Sequence, residues 1–158
     1  MTRELKQQYT LRITQANKTE LIVILYDMIL SYIDEAAEAY EKEDRAAFRD
    51  AIRKIRNCNQ ELIASLHMEY EPAMNLLSLY LYVNRELVHA DVRFDIQYLD
   101  HVTLVISGLR EAYQAVAKQD QSGAVMRNTQ AVYAGLTYGK GELTENMADQ
   151  GANRGFLV

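Results

Sequence analysis

Only Pro72 and Gly108 interrupt the first 120 residues of this chain. Both residue types penalise helix interiors, so a stretch of this length with so few of them is confined to helix after helix. The remaining glycines all follow residue 120. That places a compositional boundary near Gln121 and predicts an irregular tail over 121–158. At 158 residues the chain is long enough for one domain around one core.

Hydrophobic residues make up 49% of the chain and charged residues 25%, the balance of a soluble globular protein. The net charge of −5, with no long basic run, argues against a nucleic-acid partner. The polar N-terminus offers no apolar leader core, so a cytoplasmic location is expected. Cys58 is the single cysteine, which excludes an internal disulfide and fits a reducing compartment.

Four long helices follow from periodicity, at about 18–41, 45–69, 72–93 and 96–119, with residues 1–16 as an N-terminal arm. Asn17 and Glu20 have the spacing of a capping box ahead of the first. Leu21, Leu25, Met28, Tyr32 and Ala36 form its expected inward stripe. The apolar stretch from Leu21 to Ile33 is shorter than the ~20 residues of a membrane span and contains Asp27, so no membrane insertion is expected. Asp44 can cap the second helix, with Phe48, Ile52, Ile55, Leu62 and Leu66 inward and polar Asn59 on the same seam.

Pro72 suits the first turn of the third helix, whose stripe is Leu76, Tyr80, Val83, Leu87 and Ala90. The last helix opens after Asp95 and carries Leu99, Val102, Ile106, Leu109, Tyr113 and Val116. Short connections between long helices make neighbours antiparallel, which predicts an all-α, up-down-up-down four-helix bundle. Val125, Val132, Tyr133 and Leu136 could share one face of a short further helix over 124–136, or fold back as an internal cap.

Glu86-Leu-Val-His89 has the Glu-x-x-His spacing of di-iron bundles, the sharpest catalytic alternative. Such sites use two copies, and His67 and His101 both lack the matching glutamate. Glu86 and His89 lie off the inward stripe, which favours surface polar residues. No phosphate loop, paired-cysteine pattern or nucleophile elbow occurs. No metal or other cofactor and no enzyme activity are expected.

Surplus apolar surface is the more informative feature. At roughly 100° per residue, Val23, Tyr26 and Leu30 fall away from the first helix's inward stripe. Leu77, Leu81 and Val88 form a second stripe on the third helix. Broad burial, self-association in a structural oligomer, or a groove for a partner's amphipathic helix each account for them. Eleven tyrosines and no tryptophan tilt toward a binding surface, because tyrosine tolerates exposure and burial alike.

The run from Leu79 to Asp95 resembles the Leu-Tyr-x-Tyr, Arg-x-Leu, Ala-Asn and Asp signature of the FliS-type flagellar secretion chaperones. Leu25-Tyr-Asp27 within the run from Ala16, together with Gln60-Glu-Leu62 and Leu109-Arg-Glu-Ala-Tyr113, is similar to elements of the same family. Lys18, Met28, Asp91 and Tyr113 depart from its usual residues. The resemblance implies a cytosolic helical bundle that binds the C-terminal segment of flagellin, prevents its early polymerisation and delivers it to the flagellar type III export gate. It directs attention to Leu77, Leu81, Val88, Val23, Tyr26, Leu30, Tyr80 and Tyr82 as client contacts. Tyr9 and Ile13 are the corresponding candidates for an N-terminal cap.

Overall fold

A computed structural model describes residues 1–125, and every described element is helical. The order is α1 (Arg3–Gln15), α2 (Lys18–Glu41), α3 (Arg45–Ala64), α4 (Glu71–Arg93) and α5 (Gln97–Ala117). Helices α2 to α5 close an antiparallel four-helix bundle, with α2 and α4 each packed against both α3 and α5. Helix α1 rests on α2 alone among the helices.

The starts of the helices are set by local chemistry. The Asn17 carboxamide accepts from the Glu20 N–H at 2.9 Å while the Glu20 carboxylate accepts from the Asn17 N–H at 3.1 Å, a reciprocal box that satisfies two otherwise orphan donors. Asp44 accepts from the Ala47 N–H at 3.0 Å and opens α3. Helix α3 ends at Ala64, short of the expected residue 69. The reason is a turn in which the Tyr70 N–H donates to the His67 carbonyl, just ahead of the Pro72 that opens α4. Helix α4 ends on Phe94 in the left-handed region, φ 51°.

Tyr26, Ile29, Ile33, Phe48, Ile52, Ile55, Leu62, Tyr80, Val83, Leu87, Leu99, Val102 and Ile106 form the core. The inward stripes expected on α3 and α4 lie largely there, with Leu66 and Leu76 at its edge. Helix α2 requires a correction: Tyr26, placed on its far side by sequence, is wholly buried, while Leu21 and Met28 turn toward α1. Apolar residues nearly encircle α2, so periodicity alone gave its inward direction no unique answer.

Residues 1–16, expected as an arm, are mostly helix. Thr2 caps α1 by accepting from the Leu5 N–H at 3.2 Å. Tyr9 and Ile13 are buried with Ile24 and partly buried Leu21 and Met28. The α1 sequence is so polar that this thin apolar edge carried little signal. Of the proposed helix over 124–136, residues 124 and 125 are not helical and the rest lie outside the described residues.

Cys58 is buried in the core, and burial pushes its thiol up to about 12. A raised value leaves the thiol protonated through neutral pH, where only thiolate reacts. Folded protein is therefore expected to resist a thiol-reactive dye at pH 8 while urea-unfolded chain reacts fully. Equal rates in both states would contradict this burial.

Candidate binding surface

Several of the residues that carry the sequence resemblance meet inside the bundle. Tyr26 from α2 and Tyr80 from α4 face each other across its diagonal, with hydroxyl oxygens 2.6 Å apart. Tyr113 from α5 packs edge-on against Tyr26, ring centroids 5.8 Å apart. Burial raises the Tyr26 phenol and, against the opposing effect of its hydrogen bond with Tyr26, pushes Tyr80 up to about 12. Both hydroxyls are thus neutral partners that satisfy each other in an apolar setting.

Next to Tyr26, the Asp27 carboxylate pairs with Arg110 on α5 and, at 2.8 Å, with Arg12 on α1. Asp27 keeps only 12% of its side-chain surface, so its two guanidinium partners offset the cost of burying it. The motif residues Tyr26, Asp27, Tyr80, Arg110 and Tyr113 therefore tie α2, α4 and α5 together. The inward places expected for Tyr80 and Tyr113 agree with this, whereas Tyr26, expected on the far side of its helix, and Tyr80, also named as a client contact, are both core residues.

The eight residues named as client contacts separate into distinct places. Tyr26 and Tyr80 are core. Val23 is buried, and Leu30 is half-buried against the core. Tyr82 is half-buried on a different flank of α4 from the stripe, with the Arg85 guanidinium 5.9 Å over its ring. Leu77 is half-buried, while Leu81 and Val88 are exposed at 44% and 42%. Met74 and Val92 extend that stripe toward the two ends of α4 and are exposed as well.

This stripe is turned by roughly 100° to 140° from the core-facing side of α4, toward its outer surface. Residues 74, 81 and 88 recur every seven positions, the spacing that keeps side chains on one helical face. A rigid helix thus presents a narrow aliphatic row to solvent. Such a row can accept the apolar edge of another helix without rearrangement of the backbone.

Tyr9 and Ile13 sit on the outer face of α2. The Tyr9 hydroxyl is 2.9 Å from the Ser31 hydroxyl, and Arg12 reaches Asp27 from the same helix. Beyond α5, the Asp120 carbonyl accepts from the Asn17 side chain at 3.3 Å, and the Val125 N–H donates to the Ala16 carbonyl at 3.1 Å. The joint between α1 and α2 is thereby tied to the segment that follows α5.

The Glu-x-x-His element is resolved differently from its surface reading. Glu86 is buried and its carboxylate lies 2.8 Å from Nδ1 of His101, whereas His89 is exposed and its ring lies 5.2 Å from that of Tyr98. Burying Glu86 between α4 and α5 is offset by that contact. Among the described residues, no group of three or more His, Cys, Asp and Glu side chains could hold a metal ion. No helix among them is long and apolar enough to cross a membrane.

Among the described residues, bundle and surface together define an all-helical protein with Leu81 and Val88 exposed on the outer side of α4. Residues 1–120 match the family model described as flagellar protein FliS. The flagellar secretion chaperone FliS of Bacillus subtilis (strain 168) is 28% identical over 109 residues, 69% of this chain and 82% of that protein. The chain belongs to the FliS family of flagellar chaperones.

Proposed function

We propose that this protein binds the C-terminal helical segment of flagellin in the cytoplasm, keeps it from polymerising early and delivers it to the flagellar type III export gate. The observation that carries this reading is the aliphatic row on α4 formed by half-buried Leu77 and exposed Leu81 and Val88, in a chain of the FliS family. An amphipathic client helix laid on that row buries apolar surface that neither partner covers alone. Tyr26 and Tyr80 serve the surface indirectly, by fixing α4 against α2.

Helix α1 acts as a cap in this reading. Tyr9 and Ile13 cover Ile24 and Met28, and their displacement opens a second apolar strip on α2 to the client. Because α1 packs on no other helix of the bundle, it can leave while α2 to α5 stay closed.

Co-expression with the cognate flagellin C-terminal fragment is expected to yield a soluble one-to-one complex on gel filtration. Replacing Leu81 by Asp places a charge in the row and is expected to lower the yield of complex without unfolding the bundle, since Leu81 lies on the surface. A fragment that stays insoluble beside folded wild-type protein would overturn the reading.

A further inference from the structure

The aliphatic row on α4 has a charged companion. Arg45, Arg49, Arg53 and Arg56 succeed one another on α3, and at roughly 100° per residue they fall within an arc of about 80°. Contacts between the two helices show which way that arc turns. Arg49 pairs with Asp91 on α4 at 3.0 Å, and buried Asn59 donates to the Tyr80 carbonyl at 2.9 Å and to Asn84 at 2.8 Å. The arginines therefore lie on the α4 side of α3, outward from the core.

Asn84 and Asp91 mark the line of α4 that meets α3. Leu81 precedes Asn84 by one helical turn and Val88 follows it by one, so the row borders that line on its outer side. The groove between the two helices is lined by the arginines on the α3 side and by Asn84 and Asp91 on the α4 side, with the aliphatic row along its outer edge. In a protein of net charge −5, such a concentration of arginine reverses the local sign of the surface.

The arginines are not consumed by internal pairing. Arg49 and Arg53 keep 72% and 65% of their side-chain surface exposed although each touches one aspartate. Arg56 forms no ion pair among the described residues. Arg45 lies over the Phe94 ring at 4.7 Å, which anchors the end of the ridge. Exposed guanidinium forks of this kind favour planar carboxylates.

We propose that the groove between α3 and α4 takes an acidic amphipathic helix of a partner protein. Its apolar edge rests on Leu77, Leu81 and Val88, and the carboxylates flanking that edge meet Arg49, Arg53 and Arg56. The proposal rests on reading the α4 row as the client-facing surface and adds the charge pattern that sets the occupant's register. A basic helix of equal hydrophobicity meets repulsion on the arginine bank.

Two labelled synthetic peptides test this, with identical leucine edges at helical spacing but flanked by glutamate in one and by lysine in the other. Each is titrated with the full chain and followed by fluorescence anisotropy. The glutamate peptide is expected to bind and to weaken as salt rises, and an Arg53→Glu, Arg56→Glu double variant is expected to lose about tenfold or more in affinity for it. Leu81→Asp lowers affinity for the same peptide, and circular dichroism confirms that the variants are folded. Equal binding of the two peptides, or no loss in the arginine variant, overturns the proposal. A dimer of this chain that depends on the same arginines and excludes the peptide assigns the groove to a second copy and also overturns it.

The cognate flagellin fragment separates the two readings. Flagellin binding without any charge preference among the peptides defeats the groove assignment and leaves the chaperone reading standing. Charge-selective peptide binding without flagellin binding supports the groove and defeats the chaperone reading.

Discussion

Phe48→Ala is expected to destabilise the bundle by about 3–5 kcal/mol, a large part of the roughly 5–15 kcal/mol that holds an ordinary domain together. Phe48 is 1% exposed and sits where the turn between α2 and α3 meets the end of α4. Its ring meets Phe94 edge-on with centroids 5.0 Å apart, and Tyr40 lies 6.0 Å away. Truncation leaves a cavity in that cluster, which the surrounding helices can fill only in part.

A second cost is added at Phe94. A side chain in the left-handed region is disfavoured by roughly 1–2 kcal/mol, so packing against Phe48 and Tyr40 helps to hold this cap in place. Urea unfolding followed by circular dichroism measures the sum. A loss below about 1 kcal/mol would mean that the cluster is not the closed packing unit described.

Removal of residues 1–16 is expected to raise affinity for the flagellin C-terminal fragment about 10- to 100-fold, the gain available when a docked segment no longer competes with the client. Residues 1–16 hold their place through buried Tyr9, Ile13 and Ala16, the Tyr9–Ser31 contact, the Arg12–Asp27 and Met1 ammonium–Glu35 pairs and the Ala16–Val125 hydrogen bond. These are few enough to be displaced by a longer client helix, yet enough to keep α1 seated in the free protein. Competition titrations compare the full and shortened chains, with circular dichroism confirming that the shortened bundle is folded. Unchanged or weakened binding by that folded bundle would contradict the cap.

Much of the bundle was legible because its helices carry plain signals. The capping residues Asn17 and Asp44 occupy the places their side-chain chemistry suggests. On α3, Phe48, Ile55, Asn59 and Leu62 share one inward face, and there periodicity was sufficient. Helix α2 defeated the same reasoning because it is covered by the core on one side and by α1 on the other. Tyr26 looked surplus only because periodicity marks the inward face by Leu21 and Met28, which pack against α1.

The candidate site was legible in the same uneven way. Leu81 and Val88 were found by their displacement from the core stripe of α4, a local property of one helix. Tyr80 and Tyr82, adjacent in the resemblance motif, point to different surroundings, one to the core diagonal and one to a flank. The arginine ridge on α3 was present in the spacing of Arg45, Arg49, Arg53 and Arg56. Its meaning depended on which helix stands beside α3, and that is a tertiary fact. The pairing of Glu86 with His101 likewise joins residues that no single-helix pattern relates.

Calorimetric titration of the purified cognate flagellin C-terminal segment into the full chain is the most direct test of the chaperone reading. One-to-one binding with a Kd at or below the micromolar range is expected, weakened by Leu81→Asp on the α4 row. Absence of binding heat and of any complex at micromolar concentrations, with both partners folded or soluble as purified, would contradict it.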